Sequence, residues 1–112
     1  MANTFKNALK PSIGTSNTSV YQAPIGTQST VIGLSIANRT SNVTIQVSAY
    51  VLDSENSYQA TYIVKDATVP MGSSLVAVGG DQKLVLKAND SVQVVSSANN
   101  SADAILSVLE IN

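Results

Sequence analysis

The sequence predicts an all-β protein, a single-domain antiparallel β-sandwich with about eight short strands and a jelly-roll or immunoglobulin-like topology. Three observations support this fold class. Apolar, often β-branched residues alternate with Ser, Thr, Asn and Gln along nearly the whole chain, Gly-, Pro-, Asn- and Asp-containing turns separate the runs, and no segment shows a helical period. The 112 residues suffice for one core. Because a lone sheet leaves one apolar face in water, two sheets must pack together; a closed barrel is the alternative.

The N-terminal segment is expected to differ from the rest of the chain. Residues 1–13 are interpreted as an arm without strong structure of its own, and residues 14–112 as the sandwich domain, whose first strand is Ser19 to Ala23. Phe5 and Leu9 make the arm a candidate for strapping or strand addition onto a neighbouring protein. A plain disordered terminus is the alternative.

The two clearest strands follow. In Thr30–Ala37, alternation places Ile32, Leu34 and Ile36 on one core face. In Val43–Val51, every second residue from Val43 onward is apolar and is expected in the core. Asn38 to Asn42 has turn chemistry between them, including Asn side chains that can close an Asx turn, so a hairpin is predicted.

A polar loop, Asp53 to Gln59, precedes the next predicted strand, Ala60 to Lys65. Tyr58 in this loop has no local core to join, which makes it a candidate for partner binding. Val69 to Ser73 then turns the chain into a short strand, Ser74 to Val78.

The last quarter of the chain predicts three more strands, Lys83–Lys87, Ser91–Ser96 and Ala102–Ile111. Lys83 and Lys87 are expected to protect an edge. The final strand is apolar on both faces, with Ala104, Leu106 and Val108 on one side and candidate partner-binding residues on the other. We expect the arm or, preferably, another subunit to cover that second side, which carries Ile105, Leu109 and Ile111.

Catalytic chemistry has few candidates. The chain lacks histidine and cysteine, which removes the usual general base, the thiolate nucleophile and the common transition-metal ligands. Asp53 and Glu55 could contribute to a calcium site, but two carboxylates fall short of the six to eight oxygen ligands that calcium takes, and a solvated turn is preferred. Gly79-Gly80-Asp81 lacks the Lys-Ser/Thr ending of a phosphate loop. We therefore expect no enzyme activity, cofactor or metal.

The charge pattern restricts the possible partners. Six basic and seven acidic residues give a net charge of -1, and charged residues make up only 12% of the chain. Without a basic stripe, neither nucleic acid nor a membrane is an expected partner. So little net charge suits a protein that works within an assembly.

Several turn and strand motifs resemble one known family, the small virion structural proteins of tailed bacteriophages, particularly those of marine and cyanobacterial phages. The motifs cover most of the chain: Ala2 to Asn7, Ile13 to Ser16, Val20-Tyr21, Thr30 to Asn38, Val64 to Ala67, Val69 to Leu75, Val78 to Leu86, Asp90 to Val92, Ser101 to Ala104, and Ser107 to Ile111.

This resemblance implies a protein made in the host cytoplasm and incorporated into the virion. The role that it favours is a capsid decoration or cement protein bound to the major capsid protein or other virion proteins, as a homo-oligomer, with a trimer as the implied state. A tail, collar or baseplate module is the alternative within the virion. A receptor- or carbohydrate-binding module that uses Tyr58 is a third hypothesis.

Overall fold

The computed structural model describes residues 3–112, which form nine antiparallel strands and no helix, and therefore no helix that could cross a membrane. The strands are β1 (Asn3–Ile13), β2 (Thr18–Gln22), β3 (Gln28–Asn38), β4 (Ile45–Asp53), β5 (Gln59–Val69), β6 (Ser74–Val78), β7 (Leu84–Leu86), β8 (Ser91–Ser96) and β9 (Ala102–Ile111).

These strands form the predicted sandwich of two sheets. The five-stranded sheet has the order β1-β9-β3-β6, with β7 pairing β3 beside β6, and the four-stranded sheet has the order β2-β8-β4-β5. Strands from the two halves of the chain therefore pair from the outside inward: β1 with β9, β2 with β8, β3 with β6 and β7, and β4 with β5. This is jelly-roll connectivity, with one of the eight strands divided into β6 and β7.

Aliphatic side chains from both sheets fill the core, as the sequence predicts. The face of β9 that was assigned to the core is buried, with Ala104, Leu106 and Val108 each no more than 1% exposed. Leu34 and Ile36 of β3 meet Ile45 and Val47 of β4 within the same apolar cluster. The opposite sides of the strands therefore form the outer surfaces of the sandwich.

A bulge in β3 contradicts one core assignment. The pairing of β3 with β9 shifts in register between Val31 and Gly33, so Ile32 is the extra residue. Val31 is fully buried in its place, and Ile32 is only partly buried. Strict alternation fails here because a bulge reverses which residues face the core. Val43, also assigned to the core, precedes β4 and is exposed.

The predicted hairpin between β3 and β4 is wrong, because these strands belong to different sheets. Residues 39–44 instead carry the chain across the sandwich. The Asx turn expected there does form, with the Thr40 amide donating to Asn38 Oδ1 over 2.9 Å. Turn residues alone do not distinguish a hairpin from a crossing between sheets.

The segment interpreted as an arm forms β1. It pairs with β9 from Asn3 to Lys10 and again at Ile13, and Met1 and Ala2 lie outside the described residues. β1 thus lies beside β9 in the sheet and does not cover the outer face of β9. Ile13 is buried in the core, and the Ser12 amide donates to Asp103 Oδ1 over 2.9 Å, so both fasten the end of this strand.

The remaining strands agree closely with prediction. β6, β8 and β9 have the expected bounds, whereas β5 continues to Val69, beyond the predicted end at Lys65. A bulge near Asp66, which has a φ of 51°, accommodates this extension. Between β6 and β7, Gly79 leaves room for Val76, since a Cβ at that position would lie 2.7 Å from Val76 Cγ1.

Candidate interaction surface

The outward side of the five-stranded sheet, which we call the outer face, carries apolar side chains on each of its strands. Strand register defines its rows. In one row Phe5 of β1, Leu109 of β9, Thr30 of β3 and Val85 of β7 are neighbours. A second row runs through Leu9, Ile105, Ser35 and Val76. Ile111 extends this surface at the end of β9, beside Asn3 and Gln28.

The apolar side chains of the outer face are largely in solvent. Phe5 is 75% exposed, Leu9 62% and Ile105 51%, and Val76 and Val85 are exposed to a similar degree. A buried core residue would have no such exposure, and a solvated sheet face would carry polar residues at these positions. Apolar area concentrated on one side of a small protein is typical of a protein-binding surface.

The centre of the outer face carries little charge. Between its apolar residues lie small or amide side chains, including Asn7, Ser107 and Thr30. Charged side chains lie at its margins: Lys6 and Lys10, on the edge strand β1, each line a hollow at this face, and Asp103 lies at its end. Arg39 neutralises Asp103, with Nη1 3.2 Å from Asp103 Oδ1. A partner would therefore desolvate few charges on binding.

Two shallow hollows indent the outer face beside β1. One of about 350 Å³ lies between Phe5, Asn7, Ile32 and Ser107. The other, of about 320 Å³, has Leu9, Pro11 and Ile105 among its lining residues. Both are open enough to receive side chains of a partner protein. Neither contains a constellation of acid, base and nucleophile that would support catalysis.

Behind the outer face, at one end of the sandwich, lies a buried carboxylate. Glu110 is 4% exposed and accepts a 2.5 Å hydrogen bond from the Tyr21 hydroxyl. Lys6 Nζ lies 3.1 Å from the other carboxylate oxygen, and Ser29 Oγ lies 2.8 Å from the Tyr21 oxygen. The cluster joins β1, β3 and β9 of one sheet to β2 of the other.

The pKa values of this cluster reflect its contacts. The hydrogen bond from Tyr21, followed by the contact with Lys6, holds the pKa of the Glu110 carboxyl below its usual value despite burial. Burial, and then the neighbouring carboxylate, raises the pKa of Tyr21 to about 12. Glu110 therefore stays ionised and Tyr21 stays protonated across the neutral range. Groups that do not titrate there are suited to a structural role, which here is to join the two sheets.

A second polar cluster fastens the loop that carries Tyr58. The Ser54 amide and hydroxyl each donate to Asp90 Oδ1 over 2.8 Å, and the Lys87 amide donates to Asp90 Oδ2 over 2.9 Å. Lys87 Nζ lies 3.1 Å from Asp53 and 3.4 Å from Glu55. Across residues 3–112, no three metal-binding side chains lie close enough to hold an ion. Asp53 and Glu55, the two candidate calcium ligands, both form ion pairs with Lys87.

The six candidate partner-binding residues fall into two groups. Phe5, Leu9 and Ile105 are exposed on the outer face, and Leu109 and Ile111 are partly buried on it. Tyr58 lies instead in the loop that joins β4 to β5, two strands of the four-stranded sheet, and it is 51% exposed. The geometry therefore joins five of the six into one surface and leaves Tyr58 apart.

Sequence reasoning missed three members of the outer face, Ile32, Val76 and Val85. Val76 alternates with partly buried Leu75 and Ala77, and Val85 precedes buried Leu86, so period two could have assigned both to the outward side. The pattern could not show that β6 and β7 pair with β3, which places Val76 and Val85 in the same rows as residues of β9, with β3 between them.

Comparisons with known proteins add evidence on the fold. No known protein family matches the sequence, and no curated protein matches it either. Solved structures do match. A chain in the acid-stable capsid of Helicobacter pylori bacteriophage KHP30 aligns with all of this chain and 94% of its own length, at 15% identity and a TM-score of 0.55.

Two further structures illustrate how widely the fold occurs. A subunit of the disulfide-linked pili that form Bacillus endospore appendages matches at 12% identity and a TM-score of 0.54, over 98% of this chain and 88% of the subunit. A chain of the infectious bursal disease virus particle matches at 9% identity and a TM-score of 0.52, over 96% of this chain but 30% of the viral one. At these identities the likeness is one of fold.

Proposed function

We propose that this chain is a non-enzymatic structural protein of a bacteriophage virion, and that it serves as a decoration or cement protein on the capsid lattice. The observation that carries the proposal is the outer face, a surface with an apolar centre and charged side chains only at its margins. Such a surface is suited to binding other protein surfaces.

The size of one structural neighbour supports the capsid assignment. Because nearly the whole KHP30 chain aligns with the whole of this one, the two have about the same length. A jelly roll of this size therefore occurs as a separate chain in a phage capsid. In the bursal disease virus particle, by contrast, the matched fold is less than a third of a larger chain.

Binding to a repeated lattice relaxes the demands on each contact. A decoration protein that touches neighbouring capsid subunits gains from simultaneous engagement, so individual interfaces need only moderate affinity. Disulfide crosslinking between subunits is not part of the proposed mechanism. The pili among the structural neighbours are disulfide-linked, whereas this chain has no cysteine.

Immunogold labelling of virions from the phage that encodes this chain tests the proposal. Gold is expected over the whole head, because a decoration protein follows the capsid lattice. Gold confined to the tail or to one vertex would overturn decoration and assign the chain to a tail, collar or baseplate. Mass spectrometry of purified virions provides the control for a hidden epitope, and absence of the chain there would overturn the virion role.

An add-back titration then examines the partner. Heads assembled without this protein are expected to bind the purified chain until a fixed ratio to the major capsid protein is reached. Saturable binding supports the major capsid protein as partner. If intact heads bind no protein at any concentration, the proposed partner is wrong.

A further inference from the structure

We infer that the outer face binds the outer face of a second copy of this chain, so that two five-stranded sheets pack face to face about a twofold axis. The inference rests on the proposed function only in taking the outer face as a protein-binding surface. It names the occupant of that surface in the free protein, and binding to a capsid through the same surface would require the dimer to separate.

The outer face presents several large apolar side chains that such a dimer would bury. Phe5, Leu9, Val76, Val85 and Ile105 are each 51–75% exposed. The buried centre of a protein–protein interface is enriched in apolar and aromatic side chains and depleted of charged ones. Packing two outer faces together would remove these side chains from water.

The charge of the outer face permits pairing with itself. Two identical charged patches would repel each other when they meet about a twofold axis. The central rows here contain apolar, hydroxyl and amide side chains, and the Arg39–Asp103 ion pair lies at the end. A net charge of -1 adds little repulsion between whole molecules.

The shape of the outer face also allows one copy to fit another, because an exposed side chain lies next to a hollow. Phe5 is 75% exposed and lines one side of the 350 Å³ hollow, whose other lining residues are Lys6, Asn7, Ile32, Ser107 and Val108. In a twofold pair, each Phe5 can enter the hollow of the other copy, since projection and hollow are neighbours on one surface. Aromatic side chains that fill a partner's pocket are the common anchors of interfaces.

The edge of the sheet is a poorer route to association than its face. β1 is one edge strand of this sheet, and Lys6, Lys10 and Pro11 lie along it; β6 and β7 form the other edge, where Lys83 and Lys87 flank β7. Lysine and proline on an edge oppose pairing with another chain, and the register of β1 breaks between Lys10 and Ile13. Continuation of the sheet through a second β1 is therefore disfavoured.

Sedimentation velocity over a concentration series tests the inference with two matched variants. Ile105→Asp places a carboxylate in the centre of the outer face. Ile25→Asp makes the same change at a residue that is 85% exposed in the loop between β2 and β3. The wild-type chain and Ile25→Asp are expected to form dimers. Ile105→Asp should raise the dimer dissociation constant at least about 30-fold, the effect of losing one interface hot spot.

Phe5→Ser provides a second variant at an exposed edge position, where loss of the fold is not expected. It should weaken the dimer by a similar factor, and circular dichroism should show native sheet content in all three variants. A wild-type monomer at every concentration, a trimer, or a dimer that Ile105→Asp leaves intact would each overturn the inference.

The two proposals fail separately. A monomer that still saturates heads would overturn the dimer and leave the virion role standing. A dimer that the variants weaken, but that neither occurs in virions nor binds heads, would overturn the virion role and leave the dimer.

Discussion

At the residue scale, Glu110 shows how a carboxylate can be kept in a sandwich interior. Its position on β9 has the parity of the core residues Ala104, Leu106 and Val108. A buried carboxylate is stable only if opposite charge and hydrogen-bond donors reach it. Tyr21, from the other sheet, and Lys6, from β1, provide these contacts.

We predict that Tyr21→Phe lowers the free energy of unfolding at pH 7 by about 1–3 kcal/mol, the usual value of a hydrogen bond to a charged group. The pKa of Glu110 is below its usual value in the folded protein, so its stabilising effect is present above about pH 4.5 and is lost as the pH falls through the folded pKa. The difference between wild type and variant should therefore shrink in acid.

Urea unfolding at pH 7, 5 and 3.5 measures this dependence. Tyr58→Phe is the matched control, since Tyr58 is exposed, and we expect it to change the free energy of unfolding by less than about 0.5 kcal/mol. A Tyr21→Phe effect of the same size at every pH would show that the ionised carboxylate is not the partner that matters.

At the scale of elements, the crossing from β3 to β4 depends on one buried amide. Asn38 Nδ2 donates to the carbonyl oxygen of Val43 over 2.8 Å and to that of Val69 over 3.0 Å. Its Oδ1 accepts from the Thr40 amide and hydroxyl. One side chain thus satisfies two carbonyl groups where the chain leaves one sheet for the other.

We predict that Asn38→Ala destabilises the protein by about 1–3 kcal/mol, because it removes the side-chain donor to the buried Val69 carbonyl. The Val43 carbonyl still accepts from the Thr40 hydroxyl. Asn42→Ala, at an exposed position of the same connection, is the control and should be nearly neutral. Thermal unfolding followed by circular dichroism measures both variants. Equal melting temperatures for the two would mean that the amide network contributes no stability.

At the scale of the whole molecule, β1 completes the sandwich and is a constituent of the fold. It covers the edge of β9, anchors Ile13 in the core and supplies Lys6 to Glu110. It also carries Phe5 and Leu9, a third of the candidate partner-binding residues. Stability and binding are therefore coupled through this strand.

We predict that deletion of residues 2–12 lowers the melting temperature by at least about 10 °C, since a loss of 2–3 kcal/mol has that effect in a domain of this size. If these residues formed a free arm, their deletion would leave the melting temperature unchanged. Differential scanning calorimetry of the full and shortened chains distinguishes the two. The variant Leu9→Ser, which removes one exposed side chain and keeps the strand, should unfold within a few degrees of wild type.

The sequence by itself determined the class of this fold and much of its detail. Alternation identified the sandwich, the bounds of β6, β8 and β9, and the two apolar sides of β9, because side-chain parity along a strand is a local property. It also selected five of the residues that share the outer face. These inferences needed only the spacing of apolar residues and turns.

Tertiary structure decided what depends on contacts between distant residues. The bulge at Ile32, the crossing after Asn38 and the placement of β1 beside β9 all follow from which strands pair, and pairing energy is shared across the whole sheet. The same pairing placed Val76 and Val85 in the same rows as Ile105 and Leu109, across β3, and so created the outer face. Local pattern could not show this, because strands far apart in sequence meet only in the folded jelly roll.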